Sequence, residues 1–146
     1  MDMGKPSETT DPAPKREGIP RLLIAEDDPI IRQILATLLQ RSNYALDFAE
    51  NGQIAVEMWE RGKYDLILMD IQMPRLSGFE ATAIIRKQER SRGGHITIIA
   101  ITAYDFDEES CLAAGMDAYL AKPLDFQKTR QVIAEILTQK TDGGDN

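Results

Sequence analysis

Four short apolar runs in this chain end beside side chains that can do chemistry. "RLLIA" is followed by Glu26, Asp27 and Asp28, "DLILM" by Asp70, "ITIIAI" by Thr102, and "DAYLA" by Lys122 and Pro123. Ile- and Leu-rich runs without polar alternation read as strands buried on both faces. A carboxylate at the end of such a strand is costly unless something compensates it. If the first and third strands are neighbours, three or four carboxylates converge on one pocket. Like charges that close cannot all stay ionised, and one pKa must rise. A hard divalent cation supplies the compensation, and Mg2+, which takes one or two carboxylates and keeps several waters, suits oxygen ligands. Lys122 adds a second, fixed positive charge. The site is built for something more negative still.

The elements that must position these groups alternate strictly. Strand-length runs lie at 21–25, 44–49, 65–69, 96–101 and 117–121. Between them come helical patterns. "PIIRQILATLLQR" has Pro29 at a first helical position, with Asp28 before it as N-cap. "GQIAVEMWERG", "GFEATAIIRKQER", a short "EESCLAAG" and "DFQKTRQVIAEILTQK" come after it. Five β-α units predict parallel strands with right-handed crossovers and helices on both faces. They are too few for an eight-stranded barrel. The expected fold is α/β, a flavodoxin-like doubly wound five-stranded parallel sheet of order 2-1-3-4-5. Its switch point lies between the first and third strands, where ligands bind beyond the carboxyl ends. The "ENG" after the second strand is expected at the sheet edge, away from that point. Residues 1–19, rich in Pro, Thr and charge, read as a disordered tail, residues 20–139 as one domain, and residues 140–146, "KTDGGDN", as a second tail.

Bulk properties exclude several functions. A chain of 146 residues suits one core, and its formal charge of −7 argues against nucleic acid as a direct partner. No apolar run approaches the ~20 residues of a membrane span. The N-terminus lacks the apolar core of a signal peptide, so a cytoplasmic location is the default expectation. The one cysteine, Cys111, has no internal disulfide partner and reads as helix packing. The one histidine, His95, reads as an exposed turn residue, which leaves any phosphohistidine to another molecule or segment. Trp59 reads as packing, and the scattered methionines imply no cofactor.

The acid pair in "LLIAEDDP", then "LMDIQMPRLSG", "AITAY" and "YLAKP", stand in an order and at spacings that resemble the receiver domain of two-component response regulators. The resemblance covers nearly all of residues 20–139. It implies that Asp70 accepts a phosphoryl group from a phosphohistidine on a histidine kinase or histidine phosphotransfer protein. It further implies Mg2+, with Mn2+ as a substitute, bound by Asp27 and Asp70, by Glu26 largely through a metal-bound water, and by the Gln72 backbone carbonyl. Thr102 would donate its hydroxyl to the phosphoryl group and Lys122 would pair with it. Tyr119 would be an aromatic switch turning inward as Thr102 moves, and the Lys122–Pro123 peptide would be cis. Such a protein signals to a downstream protein target and is no enzyme beyond its own phosphorylation and dephosphorylation. The first helix has a wider apolar band than a surface helix needs. Ile31 or a neighbour is therefore expected to stay exposed near the site and dock the donor.

The same resemblance carries three further expectations. Residues 102–115 run shorter than the family usually has, which predicts a short fourth helix or a tight loop entering it and disfavours the common dimer through that face. Bulky Tyr104 is expected to shield the acyl phosphate and slow its hydrolysis. Met1 and the short tails suggest a stand-alone protein; the alternatives are a hybrid-kinase receiver or a phosphorelay intermediate. A metal-dependent aspartyl-phosphate phosphohydrolase is a further alternative. Such enzymes usually carry a second acid two residues after the nucleophile, where this chain has Gln72.

Overall fold

Each apolar run forms a strand, and each amphipathic run between them a helix. The structure, a computed structural model, describes residues 18–102 and 108–144. In chain order the elements are β1 (Arg21–Ala25), α1 (Pro29–Gln40), β2 (Ala45–Ala49), α2 (Gly52–Arg61), β3 (Leu66–Asp70), α3 (Gly78–Arg92), β4 (Thr97–Thr102), α4 (Glu108–Ala113), β5 (Ala118–Ala121) and α5 (Phe126–Gly144). The strands form one parallel sheet of order β2-β1-β3-β4-β5. The expected topology is the observed one.

Alternation along the strands sends successive side chains to opposite faces, giving two cores. Leu23, Ala25, Ile67, Met69, Ile98 and Ala100 pack with residues of α2 and α3 and with Cys111 of α4. Leu22, Ile24, Leu66, Leu68, Ile99 and Ile101 pack with Leu35 and Leu39 of α1 and Ile133 of α5. Full burial of each such large aliphatic side chain contributes about 1.5–3 kcal/mol, so the sheet is a rigid platform for whatever its ends carry.

The register decides what those ends carry. Ala25 lies opposite Met69, which brings Glu26 level with Asp70. Asp70 lies opposite Ile101, one residue before Thr102, and Thr102 opposite Ala121, one before Lys122. The helix starts are fastened just beyond this rim. Asp28 caps α1, its Oδ1 accepting from the Ile30 N–H at 2.9 Å. Ser77 and Glu80 form a reciprocal capping box at α3. At Gly78, a Cβ would sit 2.3 Å from the Asp70 carbonyl oxygen, so only glycine lets α3 begin against the end of β3.

Several expectations need correction or fall elsewhere. The expectation that Ile31 or a neighbour stays exposed holds through Ile30, 69% exposed, while Ile31 itself is half-buried against the second core. Ile31 stands one helical repeat before Leu35 and shares its sheet-facing side; Ile30 turns off that side. The backbone of α5 continues to Gly144, past the boundary expected at residue 139. Once a helix is nucleated, each further residue adds a hydrogen bond at little cost, so the composition of "KTDGG" does not stop it at once. The described part of α4 runs from Glu108 to Ala113, and Gly115 after it has φ +103°. The segment before it, on which the expectation of a short helix turns, lies outside the described residues. Residues 1–17 of the expected tail, and Tyr104 with its neighbours 103–107, lie outside the described residues. The His95 side chain, 57% exposed, meets Asp117 at 2.7 Å just before β5, at the opposite end of the parallel sheet from Asp70.

Candidate functional site

Three carboxylates meet at the rim between β1 and β3. Asp70 ends β3 and is 2% exposed, Glu26 comes directly after β1 and is fully buried, and Asp27 beside it is exposed. One oxygen from each lies within 4.8 Å of the others. Lys122 reaches in from beyond β5, its Nζ 3.2 Å from Asp70 Oδ2 and 3.8 Å from Glu26 Oε1. The other Asp70 oxygen, Oδ1, accepts from the Gln72 N–H at 3.1 Å. Thr102 is buried at the end of β4, and its carbonyl accepts from the Lys122 N–H at 2.7 Å. The Lys122–Pro123 peptide is cis. Tyr119, opposite Ala100 in the register, is half-buried against the first core. The structure therefore brings the Glu26, Asp27, Asp70 and Lys122 side chains together, with Thr102 at the end of the adjoining strand and the Gln72 main chain meeting Asp70 through its N–H.

The charges are unbalanced in a telling way. Burial pushes the Glu26 carboxyl from 4.5 up to about 8, with repulsion from the neighbouring Asp70 adding to it. The Asp28 N–H, which Glu26 Oε2 accepts at 3.2 Å, and the charge of Lys122 oppose the rise without cancelling it. Glu26 Oε1 is buried with no hydrogen-bond partner. A buried acceptor left unsatisfied costs about 1–3 kcal/mol, more when charged. A divalent cation with oxygen ligands would satisfy it and hold Glu26 ionised. The oxygen-only donor set fits Mg2+ better than a softer metal.

This arrangement has a pH signature. An acid whose folded pKa is raised gives its full stability below its unfolded value and loses it as pH climbs through the folded one. Cation-free protein is therefore expected to lose stability relative to Glu26→Gln as pH rises from 4.5 to about 8. Thermal melts of both proteins in chelator measure the difference, and parallel pH profiles would contradict the expectation.

One expectation about the rim is corrected. Glu50 and Asn51 of "ENG" do not lie away from the site. With Asp27, Glu57 and Arg75 they line an adjoining cavity of about 570 Å³. The cause is the register: Glu26 N–H donates to the Ala49 carbonyl at 3.0 Å, so β1 and β2 end level and the residues after β2 share the rim. Sequence reasoning also missed Gly78 and Arg32, whose guanidinium donates to the Glu26 carbonyl at 2.9 Å. The glycine opening α3 right after the Ser77 cap was a usable signal; for Arg32 there was none.

Comparison with known proteins agrees with the geometry. Residues 22–134 match the family profile of the response regulator receiver domain. Hybrid signal transduction histidine kinase B of Dictyostelium discoideum is 39% identical over 141 residues, which cover 89% of this chain but 7% of that protein. The chain thus spans a small part of the curated relatives it matches. Among solved structures, the complex of the Saccharomyces cerevisiae histidine phosphotransfer protein Ypd1 with the receiver domain of its downstream response regulator Ssk1 matches at TM-score 0.77 and 35% identity, covering 80% of this chain and 88% of that one. The receiver domain of the Pseudomonas aeruginosa sensor histidine kinase PA1611, with magnesium coordinated in its active-site cleft, matches at TM-score 0.74 and 34% identity, covering 83% and 99%.

Proposed function

The chain belongs to the response regulator receiver domain family, and we propose that Asp70 is its phosphoacceptor, charged by a phosphohistidine on a histidine kinase or histidine phosphotransfer protein. The observation that carries this reading is the Asp70 carboxylate at the sheet rim, 3.2 Å from Lys122 and in reach of the Glu26 and Asp27 oxygens. An Asp70 oxygen attacks phosphorus, an O–P bond forms, the P–N bond breaks, and the donor imidazole leaves with the electron pair. An ionised carboxylate needs no general base. The transition state is loose, so positioning and charge neutralisation carry most of the catalysis. Mg2+, held by Asp27, Asp70, Glu26 and the Gln72 carbonyl, would neutralise the phosphoryl oxygens. Lys122, released from Asp70 Oδ2, pairs with a second oxygen, and the Thr102 hydroxyl donates to a third. Tyr119 then turns inward behind Thr102, and the changed face passes the signal to a downstream protein.

The domain turns over no small substrate in this reading, since position 72 is glutamine where a hydrolase would place its general acid. Among the described residues no helix is long and apolar enough to cross a membrane, and we place the domain in the cytoplasm with its kinase. Whether it acts alone or within a relay, the site chemistry is the same. Incubation with acetyl phosphate is expected to add one phosphoryl group by intact mass in Mg2+ or Mn2+ and none in chelator. Continuous phosphate release, or no uptake at all, would overturn the reading.

Donor docking falls to Ile30 rather than Ile31. Ile30 is 69% and Phe126 54% exposed. Phe126 also lines, with Ile34 and Leu38, an apolar groove of about 280 Å³ between α1 and α5. Ile30→Glu is expected to slow transfer from a phosphohistidine donor by about tenfold, the loss of one modest interface anchor. Labelling by acetyl phosphate, which needs no docking, stays at the wild-type rate. Equal slowing with both donors would contradict docking at Ile30.

A further inference from the structure

We propose that Arg32 is a positioning residue for the cation site, its guanidinium fixing the turn that carries Glu26 and Asp27. The inference rests on the reading of that site as a divalent-cation and phosphoacceptor centre. Consecutive side chains on extended backbone point to opposite sides. Yet Glu26 and Asp27, one buried and one exposed, bring oxygens to within 4.8 Å of each other and of Asp70. The strand alone cannot do this; the turn after it must be held in one shape.

Its main-chain anchors account for that shape. The Glu26 N–H donates to the Ala49 carbonyl at 3.0 Å, which ties the turn to β2. The Asp28 N–H donates to Glu26 Oε2 at 3.2 Å. The Glu26 carbonyl is taken by Arg32, whose Nη1 donates to it at 2.9 Å. Arg32 also donates its own N–H to the Asp28 carbonyl at 3.0 Å. The bond to the Asp28 carbonyl is the ordinary first-turn bond of α1 that any non-proline residue at 32 would make, so the guanidinium contact to the Glu26 carbonyl is what is particular to Arg32. The guanidinium is a charged, planar donor, so the grip is charge-assisted.

The side chain is not a core element. Arg32 is half-buried and lines, with Pro29, Gln33, Ala36 and Phe48, an open surface cavity of about 330 Å³. Arg32→Met keeps the stem and removes the donors. Its effect is expected to appear in cation binding before it appears in folding.

The test is Mg2+ titration by calorimetry, on full-length wild type, Arg32→Met and Arg32→Lys, at a temperature where circular dichroism shows each fully folded. Arg32→Met is expected to bind Mg2+ about tenfold more weakly, the lower end of what residues that orient metal ligands contribute, and Arg32→Lys to recover part of the loss. The rate of labelling by acetyl phosphate is expected to need more Mg2+ for half-saturation and to approach the wild-type maximum at saturation. Equal Mg2+ affinity in wild type and Arg32→Met would overturn the positioning role. So would a reduced maximum rate that saturating Mg2+ does not restore. If wild type itself takes up no Mg2+, the reading of the whole site falls, which is a separate and recognisable result.

Discussion

Asp70→Asn is expected to abolish uptake of a phosphoryl group, lowering the rate with acetyl phosphate by at least about a thousandfold, the scale seen when a nucleophile is removed. The fold should survive it. Asn keeps the shape of the side chain and the acceptor facing the Gln72 N–H, which lies 3.1 Å from Asp70 Oδ1. It also removes a negative charge that now raises the Glu26 pKa, so without cation the variant is expected to melt no lower than wild type. Loss of labelling with an intact or raised melting temperature separates a missing nucleophile from a damaged domain. Residual labelling at the wild-type rate would move the acceptor elsewhere.

Lys122→Met carries the second largest effect. The ammonium lies 3.2 Å from Asp70 Oδ2 and 3.8 Å from Glu26 Oε1, and its side chain is 30% exposed. Its ground-state ion pair is therefore partly screened and adds little to stability. Its worth is in the transition state, where negative charge moves onto phosphoryl oxygens that the ammonium can meet. Removing one such preorganised partner costs on the order of 10²–10³ in rate. Stopped-flow labelling by acetyl phosphate at saturating Mg2+ measures the loss, while calorimetry is expected to show Mg2+ still bound. A rate within a few-fold of wild type would mean that Lys122 only balances resting charge.

How much of this is legible in the sequence differs from residue to residue. Asp70, Thr102 and Lys122 are readable because buried parallel strands announce themselves as unbroken apolar runs, and the polar residue ending each run is conspicuous. Strand order comes from the alternation of elements, and with it the meeting of Glu26, Asp27 and Asp70. Details set by register or by helix rotation are not readable. Whether Ile30 or Ile31 faces the sheet depends on a rotation of one residue, and a broad apolar band hides it. "ENG" is misplaced by sequence reasoning because the level ending of β1 and β2 is a register fact. Gly78 matters through a close approach to the Asp70 carbonyl that only the three-dimensional path creates. Arg32 looks like any helix-surface arginine until its hydrogen bond to Glu26 is seen.

Phosphorus is expected to become covalently attached to one carboxylate oxygen of residue 70. The most direct measurement is to charge the protein with acetyl phosphate and Mg2+, reduce the acyl phosphate with borohydride, and sequence the resulting peptides by mass spectrometry. Conversion of Asp70 alone to homoserine is the expected result. Homoserine at Asp27, or at another acid with Asp70 untouched, would contradict it.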